Sequence, residues 1–391
     1  MKKSYLILAA VAGLFASCSQ EVLVDENVNN FPESPIGFST FTESHTRADN
    51  STAAHPWNLE DHHDNFNVWA WKYYGGAWES TAVYSQGTVA HDGTAWVATP
   101  IKFWDKSAEK YYFYAAAPAD AKWTMNNGGG DQGYLTYTGF SLTGTNLANG
   151  TSTYHQSFKT VGDVDLMIAE DNQVLRAAYN KPTPDVVDEI FDHVLSRLNV
   201  TVKRGATLKA NGATVKLTSF AITGVDLNNA GNFSENGAVA TAPYTGGALP
   251  TGTTARWTGL SGTYNLNGYD ISSTALDDTE LYIAEYLIIP QSVEREVLDR
   301  ANGLVDSDAD EVGDQAAAYT YFRIAYTIND EPYVAYYNLA HAFNKAAGAT
   351  LDFYEGWENT LHITLDADVI TFDATVSEWA VNENETIIVQ D

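Results

Sequence analysis

The sequence predicts an all-β protein made of two tandem β-sandwich domains with few short helices. Aromatic residues make up 13% of the 391 residues and charged residues only 18%, and aromatic and β-branched side chains suit a pleated, half-buried surface. Short segments of strand-forming residues recur along the chain and are separated by turn-forming residues. A chain of this length exceeds what a single core normally fills, so we expect two domains.

The clearest strand signals lie in the first third of the chain. Residues 66–71 read Phe-Asn-Val-Trp-Ala-Trp and are followed by Gly75-Gly76 and then Trp78, a pattern typical of a β-hairpin. Residues 110–115 read Lys-Tyr-Tyr-Phe-Tyr-Ala. A nearly continuous aromatic run predicts a central strand that is covered on both faces.

Two prolines mark the expected boundary between the domains. Pro182 and Pro184 favour extended, unpaired backbone. We therefore expect a first domain over residues 48–190 and a second over residues 191–391. Near the start of the second, residues 198–202 alternate between apolar and polar side chains, as in a β-strand.

The first residues predict an exported chain. Residues 1–17 combine Lys2 and Lys3 with an apolar stretch and small residues, the pattern of a lipoprotein signal peptide. Cys18 is the only cysteine of the chain and the expected site of lipid attachment. The alternative is an ordinary secretory signal peptide with a cysteine near its end, because Phe15 stands where lipoprotein signals usually carry leucine.

A second processing site follows the signal. The segment that begins at Ile36 reads as a strand with Ile36, Phe38 and Thr40 on one face. It runs into a polar segment in which Arg47 precedes Ala48, a bond suited to a trypsin-like protease. Removal of such a strand would expose unpaired backbone groups and an apolar trench, which another strand can fill.

The net charge and the lengths of the apolar segments limit which partners we expect. The formal net charge is −29, and nucleic acid is not an expected partner because phosphate binding requires clustered Lys and Arg. Beyond the signal, no apolar run approaches the roughly 20 residues that span a bilayer. We therefore expect contact with the outer membrane only through lipid.

One acidic segment resembles the start of a calcium-binding loop. Asp306, Asp308 and Asp310 alternate in the required way. The EF-hand pattern would, however, need Gly where Glu311 stands and Glu where Ala317 stands. We expect a solvated acidic loop, and a weak calcium site is the alternative.

Other binding and catalytic motifs are weak or missing. His62 and His63 are adjacent, so on a strand they would point to opposite faces and could not share a metal ion. Seven of the ten tryptophans lie in residues 57–123; we expect them in the core, with a glycan-binding surface as the alternative. The sequence shows no nucleophile elbow, phosphate loop or zinc motif, so we expect neither an enzyme nor a cofactor.

Seven segments, in order along nearly the whole chain, resemble the fimbrillin family of Bacteroidetes, the subunits of type V pili. The matching segments are the lipoprotein leader, residues 36–38 with 46–48, residues 68–71, residues 111–118, residues 165–169, residues 191–198 and residues 370–379. The resemblance implies a transthyretin-like β-sandwich in each domain. It also implies export as an outer-membrane lipoprotein and maturation at the cell surface by an arginine-specific protease.

In such subunits, cleavage removes the first strand and a neighbouring subunit inserts its C-terminal strand into the groove left behind. Carried over to this sequence, the cut falls after Arg47 and releases the lipidated propeptide, residues 18–47. The candidate donor strand lies within residues 384–391 and consists of Thr386, Ile387, Ile388 and Val389. The alternative is that these residues complete the last sheet of their own chain.

The resemblance therefore implies a structural subunit of a cell-surface fimbria that polymerises by donor-strand exchange and supports adhesion and biofilm formation. Its partners would be other copies of itself and other fimbrial subunits. One alternative is a monomeric, lipid-anchored adhesin or glycan-binding lipoprotein that keeps its first strand and binds a host or bacterial surface ligand. A second alternative is the anchor or tip subunit of the pilus.

Overall fold

The structure is a computed structural model. It describes residues 33–42, 59, 63–145, 163–169, 172–224, 226–239, 249–252, 255–266, 275–295, 319–346, 348–367 and 370–378. Over these ranges the chain is built mainly of β-strands with few short helices, which confirms the predicted all-β class. None of the helices in these ranges is long and apolar enough to cross a membrane.

The first half of the chain supplies eleven strands and one short helix within the described residues. They are β1 (Phe38–Thr42), β2 (Asn65–Tyr74), β3 (Ala77–Trp78), β4 (Tyr84–His91), β5 (Trp96–Thr99), β6 (Lys110–Ala117), β7 (Trp123–Asn126), β8 (Tyr134–Ser141), β9 (Met167–Ala169), β10 (Asn172–Leu175), α1 (Arg176–Tyr179) and β11 (Val187–His193).

The second half supplies the remaining elements. They are β12 (Ser196–Arg204), α2 (Ala206–Ala210), β13 (Val215–Gly224), β14 (Ala230–Ser234), β15 (Trp257–Ser261), β16 (Tyr264–Leu266), β17 (Ala275–Leu276), β18 (Leu281–Ile288), β19 (Gln291–Glu294), β20 (Thr320–Ile328), β21 (Glu331–Asn338), α3 (Leu339–Ala342), β22 (Thr350–Phe353), β23 (Trp357–Leu365) and β24 (Ile370–Glu378).

Seven strands of the first half close into a ring. Their hydrogen-bonded order is β6-β9-β11-β1-β5-β4-β2, and β2 pairs again with β6. Strand β10 pairs with β6 and strand β3 with β2, outside the ring. The two faces of the expected first sandwich therefore belong to one continuous sheet, because β6 pairs with β2 along one side and with β9 and β10 along the other.

Two sequence predictions for this nine-stranded sheet are confirmed. Strands β2 and β3 form the predicted hairpin, with Tyr74 opposite Ala77. The turn residues Gly75 and Gly76 have φ values of 61° and 85°, in the left-handed region that glycine adopts without strain. Strand β6 is the central strand that the aromatic run predicts, and Tyr111 and several neighbours in it are buried.

The second half forms two sheets that face each other. One has the order β18-β12-β23-β24, and the other has the order β16-β13-β20-β21 with β17 also paired to β13. Their inner side chains belong to one apolar core. The ring of Phe372 on β24 contacts Phe322 and Tyr337 of the opposite sheet, at centroid distances of 5.7 and 4.6 Å. This packing is that of a β-sandwich.

Strand β12 is buried on both faces. Its apolar residues, such as Val200, lie in the core, as the alternating pattern predicts. On the opposite face Arg197 is also buried and forms ion pairs with Glu285 at 2.7 Å and with Glu358 at 3.3 Å. Burial raises the pKa of Glu285, while the nearby Arg197 lowers it. The alternating pattern therefore identified the core face and not the buried ion pairs behind it.

Strands cross the position at which the sequence divides the two expected domains. The boundary between residues 190 and 191 falls inside β11, which pairs with β1 and β9 in the ring. A further sheet has the order β15-β14-β8-β7 and joins two strands of the first half to two of the second. Pairing between β14 and β8 brings together residues about 90 positions apart, and the local sequence pattern carries no sign of such long-range pairing.

Candidate functional site

Strand β1 occupies one position in the closed ring, between β11 and β5. It pairs in parallel with β11 along its whole length, from Phe38 opposite Val187 to Thr42 opposite Phe191. Its pairing with β5 is limited to Phe38 opposite Trp96. One neighbour therefore holds β1 over five residues and the other over a single residue pair.

The residues before β1 make further backbone contacts. The N–H of Ile36 donates to the carbonyl of Lys102 at 2.9 Å, and the N–H of Trp104 donates to the carbonyl of Ser34 at 3.0 Å. An isolated antiparallel bridge joins Pro35 to Phe103. The segment from Ser34 onward thus continues the ring on the side of β5.

The inner face of this segment is buried in the ring. Ile36, Phe38 and Thr40 are each at most 6% exposed. The Phe38 ring packs edge-on against Phe66 and Tyr84, with centroid distances of 5.9 Å for both. Phe38 therefore acts as the main apolar anchor of β1, and such aromatic pairs add about 0.5–1.5 kcal/mol beyond the area they bury.

One polar side chain on the inner face of β1 lacks a hydrogen bond. Thr40 lies opposite Glu189 in the parallel register, and both residues are buried. The Thr40 hydroxyl has no hydrogen-bond partner. A buried hydroxyl without a partner costs about 1–3 kcal/mol. On the outer face, by contrast, the Ser39 hydroxyl donates to the Asp188 carboxylate.

Strand β1 fills a position in the ring that accepts an extended strand. In the ring β1 lies between β11 and β5, and its removal would free the backbone groups of both neighbours that now pair with it. The gap would be lined by backbone donors and acceptors and by the apolar side chains that now surround Phe38. Such a gap takes another extended strand by backbone pairing and apolar contact.

Several residues that the sequence singles out lie outside the described residues. They are Cys18, Arg47, Ala48, Asp306, Asp308, Asp310, Thr386, Ile387, Ile388 and Val389. Within the described residues, no group of three or more His, Cys, Asp or Glu side chains is placed to hold a metal ion. Of the seven clustered tryptophans, Trp57 lies outside the described residues, and four, at positions 69, 71, 104 and 123, have buried side chains.

A cavity that the sequence did not reveal lies beside β15, in the sheet shared by both halves. Its volume is about 510 Å³, and Trp257, Pro290, Arg256 and Glu355 contribute to its lining. Glu355 accepts a hydrogen bond from Nη1 of Arg256 at 2.6 Å. Burial raises the pKa of Glu355 to about 7, although Arg256 acts to lower it. No local signal could have identified this pair, because its members are 99 positions apart.

The chain is similar to solved structures of fimbrial proteins from two bacteria. A fimbrial protein from Bacteroides vulgatus shares 16% sequence identity, with a TM-score of 0.45, over 89% of this chain and 100% of that protein. The tip fimbrial protein Mfa3 from Porphyromonas gingivalis, with a C-terminal truncation, shares 9% identity, with a TM-score of 0.36, over 89% of this chain and 100% of that one. No curated protein matches the chain.

A family model gives the assignment. The model of the fimbrillin-like family matches residues 46–379. This range begins one position before Arg47 and includes every described strand from β2 to β24. The chain therefore belongs to the fimbrillin-like family.

Proposed function

We propose that the protein is a structural subunit of a cell-surface fimbria that polymerises by donor-strand exchange and supports adhesion and biofilm formation. Membership of the fimbrillin-like family supports a fimbrial, cell-surface role and assembly with other fimbrial subunits. The observation that carries the proposal is the position of β1, which completes a closed ring and pairs with β5 at only one residue pair.

Maturation would proceed in two steps. The precursor, lipidated at Cys18, is delivered to the outer membrane, and an arginine-specific protease then cuts between Arg47 and Ala48. Arg47 stands five positions after Thr42, the last residue of β1. The cut therefore breaks the chain between β1 and all the other described strands. Residues 18–47 can then leave the ring as a propeptide.

Strand exchange requires a driving force, because the copies repel one another. The full sequence has a formal net charge of −29, and removal of residues 1–47, which hold three Lys or Arg and five Asp or Glu, leaves −27 on each cleaved copy. Like charges oppose close approach. Loss of β1 exposes the apolar residues around Phe38 and two strand edges. A donor strand restores the backbone pairing and removes apolar surface from water at about 25 cal/mol per Å². Thr386, Ile387, Ile388 and Val389 of a neighbouring copy are the proposed donor.

The test uses light scattering to measure the size of the purified precursor in solution before and after treatment with an arginine-specific protease. We expect a monomer before cleavage and polymers afterwards. Arg47→Lys keeps the positive charge but resists this protease, so the variant is expected to stay monomeric. A chain that lacks residues 384–391 is expected to be cut normally and to remain monomeric.

A different result would support the alternatives. If a stable core that starts at Ala48 forms but stays monomeric whether or not residues 384–391 are present, the role as a polymerising stalk subunit is wrong. A monomeric lipid-anchored adhesin predicts that Arg47→Lys leaves function on cells unchanged. An anchor or tip subunit predicts that the protein adds to polymers of other subunits but does not polymerise alone.

A further inference from the structure

Exposed apolar side chains surround the start of β1 on the outer face of the ring. Ile101 is 60% exposed, Phe103 50%, Val186 48% and Val97 41%. We call these four residues the apolar rim. Single exposed apolar side chains are common on protein surfaces. These four, however, flank one strand, and apolar patches mark interaction sites.

The rim encloses a gap at Gly37. On one side the N–H of Val187 donates to the carbonyl of Gly37 at 2.8 Å, which places Val186 beside the glycine. On the other side the Pro35–Phe103 bridge and the adjacent hydrogen bond to Lys102 place Ile101 next to it. Ile36 and Phe38 point inward, so position 37 points outward between these apolar side chains and contributes only a hydrogen atom.

The gap is narrow but can open. A Cβ atom at position 37 would lie 3.2 Å from Cγ1 of Val186, and no other atom outside the immediate chain neighbours comes closer than 4.0 Å. Val186 is half exposed, so a small rotation of its side chain would make room. A larger apolar side chain at this position would then contact Val186 and extend toward Ile101 on the other side, where no atom lies within 4.0 Å of the added Cβ.

We propose that the apolar rim binds the outward-facing side chain of the donor strand from a second copy, so that the donor is held on both of its faces. The inference rests on the proposed function. The donor sequence Ile387-Ile388-Val389 has three consecutive apolar residues, whereas a strand buried on one face alternates. When Ile387 and Val389 take the inward positions of Ile36 and Phe38, Ile388 falls at the position of Gly37, whichever way the strand runs.

This arrangement gives the exchange a direction. Strand β1 and the donor strand both fill the inner face of the ring, but only the donor covers the apolar rim. When Ile388 of the donor lies where Gly37 of β1 was, it buries apolar surface that β1 leaves exposed to water. Strand β1 therefore completes the ring but leaves the rim exposed, and the donor is expected to displace it.

The experiment measures the binding of a fluorescent synthetic peptide of residues 384–391 to the cleaved chain that lacks these residues, by anisotropy. We expect the unmodified peptide to bind. The Ile388→Ser peptide and the Ile101→Ser/Phe103→Ser protein should each bind about 10- to 100-fold more weakly, the range expected when an isoleucine side chain loses its apolar surroundings. Their combination should lose little more, because both changes remove the same contact.

A matched control uses exposed apolar residues far from the ring. Tyr333 and Val334 on β21 are about as exposed as Phe103, although the Tyr333 ring also stacks on Tyr326. Tyr333→Ser/Val334→Ser therefore tests the loss of exposed apolar side chains outside the ring and should leave peptide binding unchanged. All substituted side chains of the protein are exposed. The free energy of unfolding of each uncleaved variant should therefore differ from that of the unmodified protein by about 0.5 kcal/mol or less per substitution.

The outcomes separate the inference from the proposed function. If the unmodified peptide binds, but the Ile388→Ser peptide and the rim variant bind equally well, the rim inference is wrong and strand exchange stands. If the unmodified peptide does not bind to the folded, cleaved chain at all, both the rim inference and the donor role of residues 384–391 are wrong.

Discussion

The backbone N–H of Val187 donates a hydrogen bond to the carbonyl of Gly37 at 2.8 Å. This bond lies at the start of the parallel pairing that runs along all of β1 and β11. On its other side β1 pairs with β5 only through Phe38 and Trp96. Strand β1 is therefore held along its whole length by β11, whereas on the other side one residue pair and the hydrogen bonds of Ser34 and Ile36 hold the segment.

Phe38→Ala should destabilise the precursor and leave the cleaved protein unaffected. Phe38 is buried against Phe66 and Tyr84, and truncation of a buried phenylalanine costs about 3–5 kcal/mol. After release of residues 18–47, the variant and the unmodified protein have the same sequence. Urea unfolding of both forms measures the effect.

Ser39→Ala is the matched control for this prediction. Ser39 is the next residue on the same strand but lies on the outer face, where it bonds Asp188, so its loss should cost about 1 kcal/mol or less in the precursor. An equal loss of stability from Phe38→Ala before and after cleavage would mean that β1 stays in the ring.

Arg197→Met should destabilise the second sandwich by about 3–5 kcal/mol. The change leaves the buried carboxylates of Glu285 and Glu358 without their main counter-charge. Urea unfolding is the measurement. Lys216→Met removes an exposed pair with Asp330 and should cost less than about 1 kcal/mol. A loss of similar size in both variants would contradict the importance of the buried ion pairs.

Glu355 should make stability depend on pH near neutrality. Burial raises its pKa to about 7 from a usual value of 4.5, so the folded chain binds the proton more tightly than the unfolded chain. The stabilisation is fully present below pH 4.5 and is lost as the pH rises through 7. A shift of this size corresponds to about 3 kcal/mol.

Comparison with Glu355→Gln isolates this effect. The glutamine keeps an oxygen that can accept the hydrogen bond from Arg256 but does not titrate. Between about pH 4 and pH 8, the free energy of unfolding of the unmodified protein should therefore fall by about 3 kcal/mol relative to the variant. A difference that does not change with pH would show that Glu355 titrates in its ordinary range.

Features with a local cause could be predicted from the sequence. Gly75 and Gly76 lie between two aromatic segments, and the hairpin they predict is present. The aromatic run in β6 predicted a central strand, because few other environments accept so many large side chains in succession. Alternation of apolar and polar side chains likewise predicted which side chains of residues 36–40 lie inside.

Features that depend on distant pairing could not be predicted. Closure of the ring requires β6 to pair with β2 on one side and β9 on the other, and alternation within a strand does not identify its neighbours. Arg197 directly precedes the alternating residues 198–202, and nothing in that pattern indicates that it is buried and paired with Glu285 and Glu358. The Gly37 gap became visible only when the exposed residues on both sides of it were placed in space.

The measurement that tests the central claim most directly is the N-terminal sequence of the protein in fimbriae isolated from the cell surface. The proposed release of β1 predicts that the mature protein starts at Ala48 and that the Arg47→Lys variant accumulates as a lipidated precursor outside the polymer. A mature fimbrial protein that starts at Cys18, and therefore keeps β1, would contradict the account.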